Sequence, residues 1–197
     1  MPEMSRAMRP VGAYFDAAYA ILAERGYAHL KLSAICDRVG VTTGGFYHNF
    51  SSWRVFTGQF LEHWHRTQTT RLVEIVAQED DPIARLKLLL ESAARLPHRA
   101  EAAIRAWSAA DEQVAAVQRC VDEERLEIVV ESFLELSLSR EQARSRGLAG
   151  MYLLIGYELG DGIRDDEALR GGLAMLIDGV EANGRADAAK DTVPELF

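Results

Sequence analysis

Cysteine and proline are scarce in this chain, and long apolar runs are missing. Its 197 residues include 2 cysteines and 5 prolines. Two cysteines outside a Cys-x-x-Cys pair exclude a disulfide framework and favour a reducing compartment. The longest apolar run, residues 148–157, is shorter than the about 20 residues that a membrane-spanning helix needs. With no secretory apolar segment near the first residues, these absences predict a cytoplasmic protein without a membrane partner.

Charge is present in quantity and is unevenly distributed. Acidic residues outnumber basic ones 30 to 22, for a net charge of −8. Residues 1–60 hold six basic and four acidic residues, a net charge of +2, so the remainder carries −10. An acidic surface repels a polyanion. Any nucleic acid is therefore expected to meet the N-terminal part only.

Apolar residues recur at helical spacing along almost the whole chain, and no segment alternates as a strand does. Ser51 is expected to cap the fourth helix, with Phe50 and Val55 as a hydrophobic staple. Pro82 is expected to begin the fifth helix, and Asp111 to cap the seventh. The fold class is therefore all-α. The predicted helices are at about 10–25, 33–39, 43–49, 51–78, 82–96, 99–109, 111–137, 140–159 and 166–182.

Residues 33–49 combine a short helix, a tight glycine turn and a second short helix, the pattern of a helix-turn-helix. The first helix would bury Ile35 and Val39, and the second would lie in the major groove of DNA. Phe46 and Phe50, four residues apart, would anchor the second helix. An ordinary corner between two helices has the same spacing, so the pattern alone leaves both interpretations open.

One run of residues follows a recognisable register within 18–56: Gly26-Tyr27, Ile35-Cys36, Val39-Gly40-Val41-Thr42, Gly44, Phe46-Tyr47 and Phe50. With these residues, the stretch resembles the N-terminal domain of the TetR family of transcriptional regulators. The resemblance implies a nine-helix fold with a three-helix DNA-binding head at 8–51, a ligand-binding and dimerising helical bundle at 52–184 and a flexible tail at 185–197.

The resemblance also implies which residues contact DNA. The chain departs from the family where a hydroxyl residue usually caps the second helix, at Leu30 and Lys31. Either Ser33 caps instead or the helix starts later, and Lys31 is expected to supply a charge for phosphate. Trp53 stands where lysine is common, which predicts a shallower salt dependence. The implied DNA-binding residues are Lys31, Ser33, Thr42, Thr43, Gly44, Gly45, Tyr47, His48, Asn49 and Trp53.

Two further sets of residues are implied for the bundle. Large aromatics would line an effector pocket, although plain core packing explains each of them as well. A small-residue and apolar face on the last two helices would form a dimer interface, with packing inside one chain as the alternative. The pocket set is Trp64, Trp107, Phe133, Tyr152 and Tyr157. The interface set is Leu148, Met151, Ile155, Leu159, Leu173, Leu176, Ile177 and Val180.

The function implied is a ligand-responsive transcriptional repressor that binds a palindromic operator as a homodimer. Its partners would be double-stranded DNA, a second copy of the chain and an unidentified small-molecule effector. No motif of an enzyme, metal site or cofactor site is present, so no catalytic residue, metal or cofactor is expected. Two alternatives remain: a helical ligand-binding protein or enzyme without DNA function, and a regulator of another helix-turn-helix family. Salt-sensitive DNA binding separates the first alternative from a regulator.

Overall fold

The computed structural model describes residues 9–190, and within that range every regular element is helical. The fourth helix, α4, consists of three consecutive segments, the middle one a π-helical turn. Short 3₁₀ turns occupy Tyr27–His29 and Asp161–Ile163. The elements are α1 Val11–Arg25, α2 Leu32–Val39, α3 Thr43–Asn49, α4 Trp53–His65 with Arg66–Thr70 and Arg71–Val76, α5 Pro82–Ala93, α6 His98–Ser108, α7 Glu112–Glu135, α8 Arg140–Leu159 and α9 Asp166–Lys190.

These nine helices of the described range match the nine predicted ones, with corrections at their ends. Pro82 begins α5 as predicted, and the Asp111 carboxylate accepts the backbone N–H groups that open α7. The predicted cap of α4 is wrong: Ser52, not Ser51, accepts the Val55 N–H at 3.1 Å. Val55 is 38 % exposed and forms no buried staple. An extended backbone at Ser52 brings its hydroxyl back to the third helical N–H.

The last helix is longer than the sequence indicates. α9 continues to Lys190, so residues 185–190 of the expected flexible tail are helical. The remainder of that tail, 191–197, lies outside the described residues, as does residue 8, the expected start of the head.

The first compact unit comprises the described residues up to Arg66 together with Pro97–Arg119. It is larger than the predicted head at 8–51 because α6 packs against α1. α1 buries the stripe that its helical spacing predicts, which includes Tyr14, Ala17 and Ile21. The stripe also packs on α2, so the helix-turn-helix rests on a well-filled core.

The second compact unit comprises Thr67–Leu96 and the described residues from Cys120 onward. α9 packs against α8 and α5. Its buried apolar cluster joins Leu86, Phe133, Ala143, Ile177 and Val180. This unit is a helical bundle with an apolar interior.

Candidate functional site

The base of α3 is an aromatic cluster that fixes the helix on the first unit. Phe46 and Phe50 are fully buried, with ring centroids 5.0 Å apart. Tyr14 meets both rings edge-on, at 6.0 and 5.2 Å. Phe56 from α4 lies 5.3 Å from Phe46 and 5.0 Å from Phe50. Edge-to-face contacts of this kind add to the gain from burial. The predicted anchoring role of Phe46 and Phe50 is confirmed.

The opposite face of α3 is open. Thr43, Gly44, Tyr47 and His48 are exposed, and the helix carries no acidic residue. Tyr47 is 47 % exposed while its ring edge rests on Phe46 at 5.5 Å. Its hydroxyl is thus presented on a fixed ring. This face offers short polar groups and close backbone approach without a negative charge.

Thr42, which was expected to contact DNA, also caps α3. Its hydroxyl accepts the Gly45 N–H at 3.2 Å and so caps α3. The turn before it ends α2 at Gly40, whose φ of 75° and ψ of 41° are left-handed. Only glycine adopts this region at no steric cost. The turn and the cap together set the direction of α3.

Two residues expected to contact DNA are turned toward the protein. Asn49 is half-buried, and its amide donates to the Tyr14 hydroxyl at 3.0 Å and to the Gly45 carbonyl at 3.1 Å. Trp53 is half-buried and stacks on Phe46 at 6.1 Å, with Phe56 at 5.1 Å. Asn49 is held by hydrogen bonds to acceptors within the head, and Trp53 by packing on the aromatic rings at the base of α3.

The beginning of α2 has no side-chain cap. Lys31 occupies the N-cap position without a capping hydrogen bond, so the expectation that Ser33 caps this helix is wrong. Both residues are exposed. They line an open concave surface with Arg25, His29 and Arg38. Asp37 lines the same surface. The charge of Lys31 is not used in an ion pair within the described residues.

Nearby titratable groups are set by burial and pairing. Arg38 donates twice to the Glu24 carboxylate, at 2.7 and 2.5 Å, and this lowers the pKa of Glu24. Burial raises the pKa of the Tyr14 hydroxyl, with the Asn49 hydrogen bond acting in the opposite direction. Burial also raises the pKa of the Cys36 thiol. A buried thiol of raised pKa is a packing residue rather than a nucleophile.

The second unit contains a partly open cavity of about 100 Å³. Its wall is mostly leucine, isoleucine, valine and methionine side chains, with Phe133 among them. Two guanidinium-bearing residues, Arg125 and Arg146, also line it. None of the described lining residues is acidic.

Comparison with known proteins identifies the head. Residues 15–53 match the family model described as bacterial regulatory proteins of the tetR family. That match covers α2, the turn and α3. The head is thus similar to the DNA-binding domain of that family. Among curated protein sequences, none matches it.

Solved structures extend the likeness of this chain beyond the head. A transcriptional regulator from Rhodococcus sp. Rha1 has a TM-score of 0.74 at 16% identity, covering 89% of this chain and 97% of that one. A TetR transcriptional regulator from Legionella pneumophila has a TM-score of 0.73 at 12% identity, covering 89% and 99%. The transcriptional regulator FadR from Bacillus subtilis, in complex with stearoyl-CoA, has a TM-score of 0.65 at 18% identity, covering 86% and 99%. At these identities the likeness shows a common fold.

Of the five aromatics expected in the pocket of this TetR fold, Phe133 alone lines the cavity. Trp64 is buried in the first unit and donates to Glu101 at 2.6 Å. Trp107 is in the same unit and stacks on Tyr27 at 5.2 Å.

Tyr152 and Tyr157 also lie outside the cavity lining. Tyr152 is 66% exposed, and the Tyr157 hydroxyl donates to Asp166. Four of the five large aromatics expected in the pocket therefore lie outside this cavity. Its wall is mostly aliphatic. The sequence does not distinguish its two arginines from arginines that face solvent.

The expected dimer residues divide into an inner and an outer set. Met151, Leu173, Ile177 and Val180 are buried within the unit, so packing inside one chain explains them. Leu176 lines the cavity. Leu148 and Ile155 are half-buried. Leu159 is 58% exposed and belongs to a different apolar face.

That outer face consists of Tyr152, Leu159, Ile163 and Met175, named here the outer apolar face. Their exposed fractions are 66%, 58%, 87% and 71%. The sequence analysis did not predict most of this face, because apolar residues occur on both sides of α8 and α9 and periodicity does not separate the inner from the outer side.

In the described range no helix is both long enough and apolar enough to cross a membrane.

Proposed function

We propose that this chain is a TetR-family transcriptional repressor that binds a palindromic operator as a homodimer and releases it when a small molecule occupies the cavity. The observation that carries the proposal is the open face of α3. It presents Thr43, Tyr47 and His48 without any acidic side chain in an otherwise acidic protein. Sites of this shape place a short helix in the major groove.

Lys31 and Tyr47 would position the head on the DNA backbone, and α3 would read the bases. Phosphate contacts fix register, whereas base-edge contacts give specificity. Because Gly44 and Gly45 bear no side chains, few groups are left for direct base contacts. Sequence choice would then depend on Thr43, His48 and the shape of the DNA.

The outer apolar face supports the homodimer. Tyr152 and Leu159 lie on α8 and Met175 on α9, and these two helices pack against each other. Exposed apolar side chains gathered in one region mark interaction surfaces. A symmetric dimer would present two heads about one helical turn apart, which matches the two halves of a palindrome.

The cavity supports the effector. The cavity belongs to the second unit, whereas the proposed DNA face belongs to the first. Most of the cavity wall is apolar. The Bacillus subtilis neighbour was solved with stearoyl-CoA, which supports a ligand role for this fold. A ligand lowers DNA affinity when it favours a conformation that DNA does not.

The test is selection of bound duplexes from a random pool, followed by fluorescence anisotropy of the selected duplex at two salt concentrations. The expected result is an inverted repeat bound with a Kd on the order of 10⁻⁸ M or tighter, weakened by salt. A duplex with one half of the repeat scrambled is the control and should bind much more weakly. Failure to enrich any sequence, with equal weak binding of all duplexes, contradicts the proposal and favours a ligand-binding protein without DNA function.

A further inference from the structure

We propose, building on the effector role proposed above, that the cavity takes a small monocarboxylate with an apolar body of about four carbons, with its carboxylate on Arg146. Two arginines, Arg125 and Arg146, line the cavity, and among the lining residues that the structure describes none is acidic. Their positive charge is opposite in sign to the net charge of the chain, −8. The overall charge of the chain therefore does not explain why arginines line the cavity.

The guanidinium of Arg146 lies at the wall itself. One Nη donates to the carbonyl of Leu176, and the guanidinium carbon lies 5.9 Å from the centroid of the Phe133 ring. Both partners also line the cavity. The charged end of the side chain, and not only its stem, is thus next to the cavity.

Arg146 also has hydrogen-bonding capacity left. A guanidinium has five N–H donors, and the contacts of Arg146 within the described residues are the Leu176 carbonyl and the Phe133 ring. No carboxylate of the described part of the chain pairs with it. A half-buried cation without an anionic partner is poorly compensated. A ligand carboxylate would accept from the remaining donors in a bidentate arrangement.

Arg125 is held differently, by contacts inside the protein. It is buried, its Nε donates to the Thr69 hydroxyl at 3.0 Å, and one Nη donates to the Gln68 carbonyl at 3.5 Å. Thr69 and Gln68 belong to the π-helical turn of α4 and line the cavity as well. The charge argument therefore depends on Arg146, whose guanidinium attracts an anionic ligand more strongly than a neutral one and repels a cationic one.

The volume limits the size of the ligand. A dry cavity of about 150 Å³ holds benzene, with six carbons. The cavity here is about 100 Å³. If the number of carbons scales with volume, about four carbons fit inside it. Pentanoate has four carbons beyond its carboxylate and is the natural probe.

The experiment is calorimetric titration of the full chain with three ligands of one shape: pentanoate, pentanamide and pentylamine. Pentanoate is expected to bind at least tenfold more tightly than the amide, and the amine is expected not to bind. The Arg146→Gln variant should lose the preference for pentanoate over pentanamide, whereas Arg146→Lys, which keeps the positive charge, should retain part of it. Arg144→Gln is the matched control: it removes an exposed arginine of the same helix outside the cavity and should keep the wild-type preference.

Equal or tighter binding of the amide or the amine, or no binding of any of the three, overturns the inference. The wild-type comparison decides this even if Arg146→Gln does not fold, which circular dichroism would show. DNA binding of the unliganded protein is measured separately. Loss of that binding contradicts the proposed function, while the carboxylate preference is still measured.

Discussion

At the scale of single residues, Tyr47 and Lys31 illustrate two kinds of contact that a DNA-binding head can offer. Tyr47 presents a neutral hydroxyl on a ring that is held against Phe46. Lys31 presents a charge at the uncapped start of α2. A neutral donor adds affinity without releasing counterions, whereas a lysine on phosphate does both.

The first prediction separates these contacts. Tyr47→Phe should weaken operator binding by about 10- to 100-fold per head, because each head loses a hydrogen bond to a charged acceptor, and should leave the salt slope unchanged. Lys31→Gln should weaken binding and reduce the slope of log Kd against log salt by about 2, which is about 1 for each of the two heads. Anisotropy titrations at four salt concentrations measure both. Since both side chains are exposed, thermal stability should be unchanged; equal slopes in the two variants would show that Lys31 does not reach phosphate.

At the scale of elements, the connection of α2 to α3 depends on two local features. Gly40 takes the left-handed conformation that ends α2, and the Thr42 hydroxyl caps α3. Neither feature needs the rest of the fold, since both follow from residue type. Together they explain why a helix of seven residues keeps its position.

The second prediction concerns that turn. Gly40→Ala should lower the free energy of unfolding by about 1–2 kcal/mol, because a Cβ disfavours left-handed backbone. There is no atom within 4 Å of the added Cβ, so the effect is conformational rather than steric. Gly40→Asn should be milder, because asparagine tolerates this region.

Gly44→Ala is the matched control within α3. Its added Cβ meets only the Thr42 hydroxyl oxygen at 3.8 Å, so alanine should stabilise the helix by up to about 1 kcal/mol. Urea denaturation measures all three variants. A loss from Gly44→Ala as large as from Gly40→Ala would show that backbone conformation is not the cause.

At the scale of the whole molecule, the outer apolar face and the charge distribution act together. The acidic remainder of the chain keeps DNA on the head, while the outer apolar face of α8 and α9 provides a surface for a second copy. Tyr152 and Leu159 are seven residues apart on α8, so they share one side of the helix. Met175 extends the surface onto α9.

The third prediction tests that surface. Met175→Glu should raise the dimer dissociation constant about 30-fold or more, because a charge would be buried without a partner. Ile75→Glu is the control: Ile75 is also exposed, at 63%, but lies on α4. Sedimentation equilibrium measures both. A wild-type monomer at micromolar concentration contradicts the homodimer, and disruption by Ile75→Glu alone moves the interface to α4.

The sequence by itself determined the features that are written locally. Helical periodicity located nine helices, glycine located the end of α2, and the residues in register around α3 identified the family of the head. Capping was predictable only where one candidate stood in place, as Asp111 does; the adjacent serines at 51 and 52 left the start of α4 ambiguous. These features depend on neighbours within four or five residues, which the sequence displays directly.

The tertiary structure alone decided which apolar side faces inward and which groups meet in the cavity. Met151 and Tyr152 are adjacent in sequence, yet one is buried and the other is 66% exposed. Asn49 was expected on DNA but finds Tyr14, 35 residues away. Arg146 meets the Leu176 carbonyl across 30 residues. Such contacts join residues that are distant along the chain. Residue types alone allow many alternative long-range contacts, and the packing of whole helices selects the ones that form.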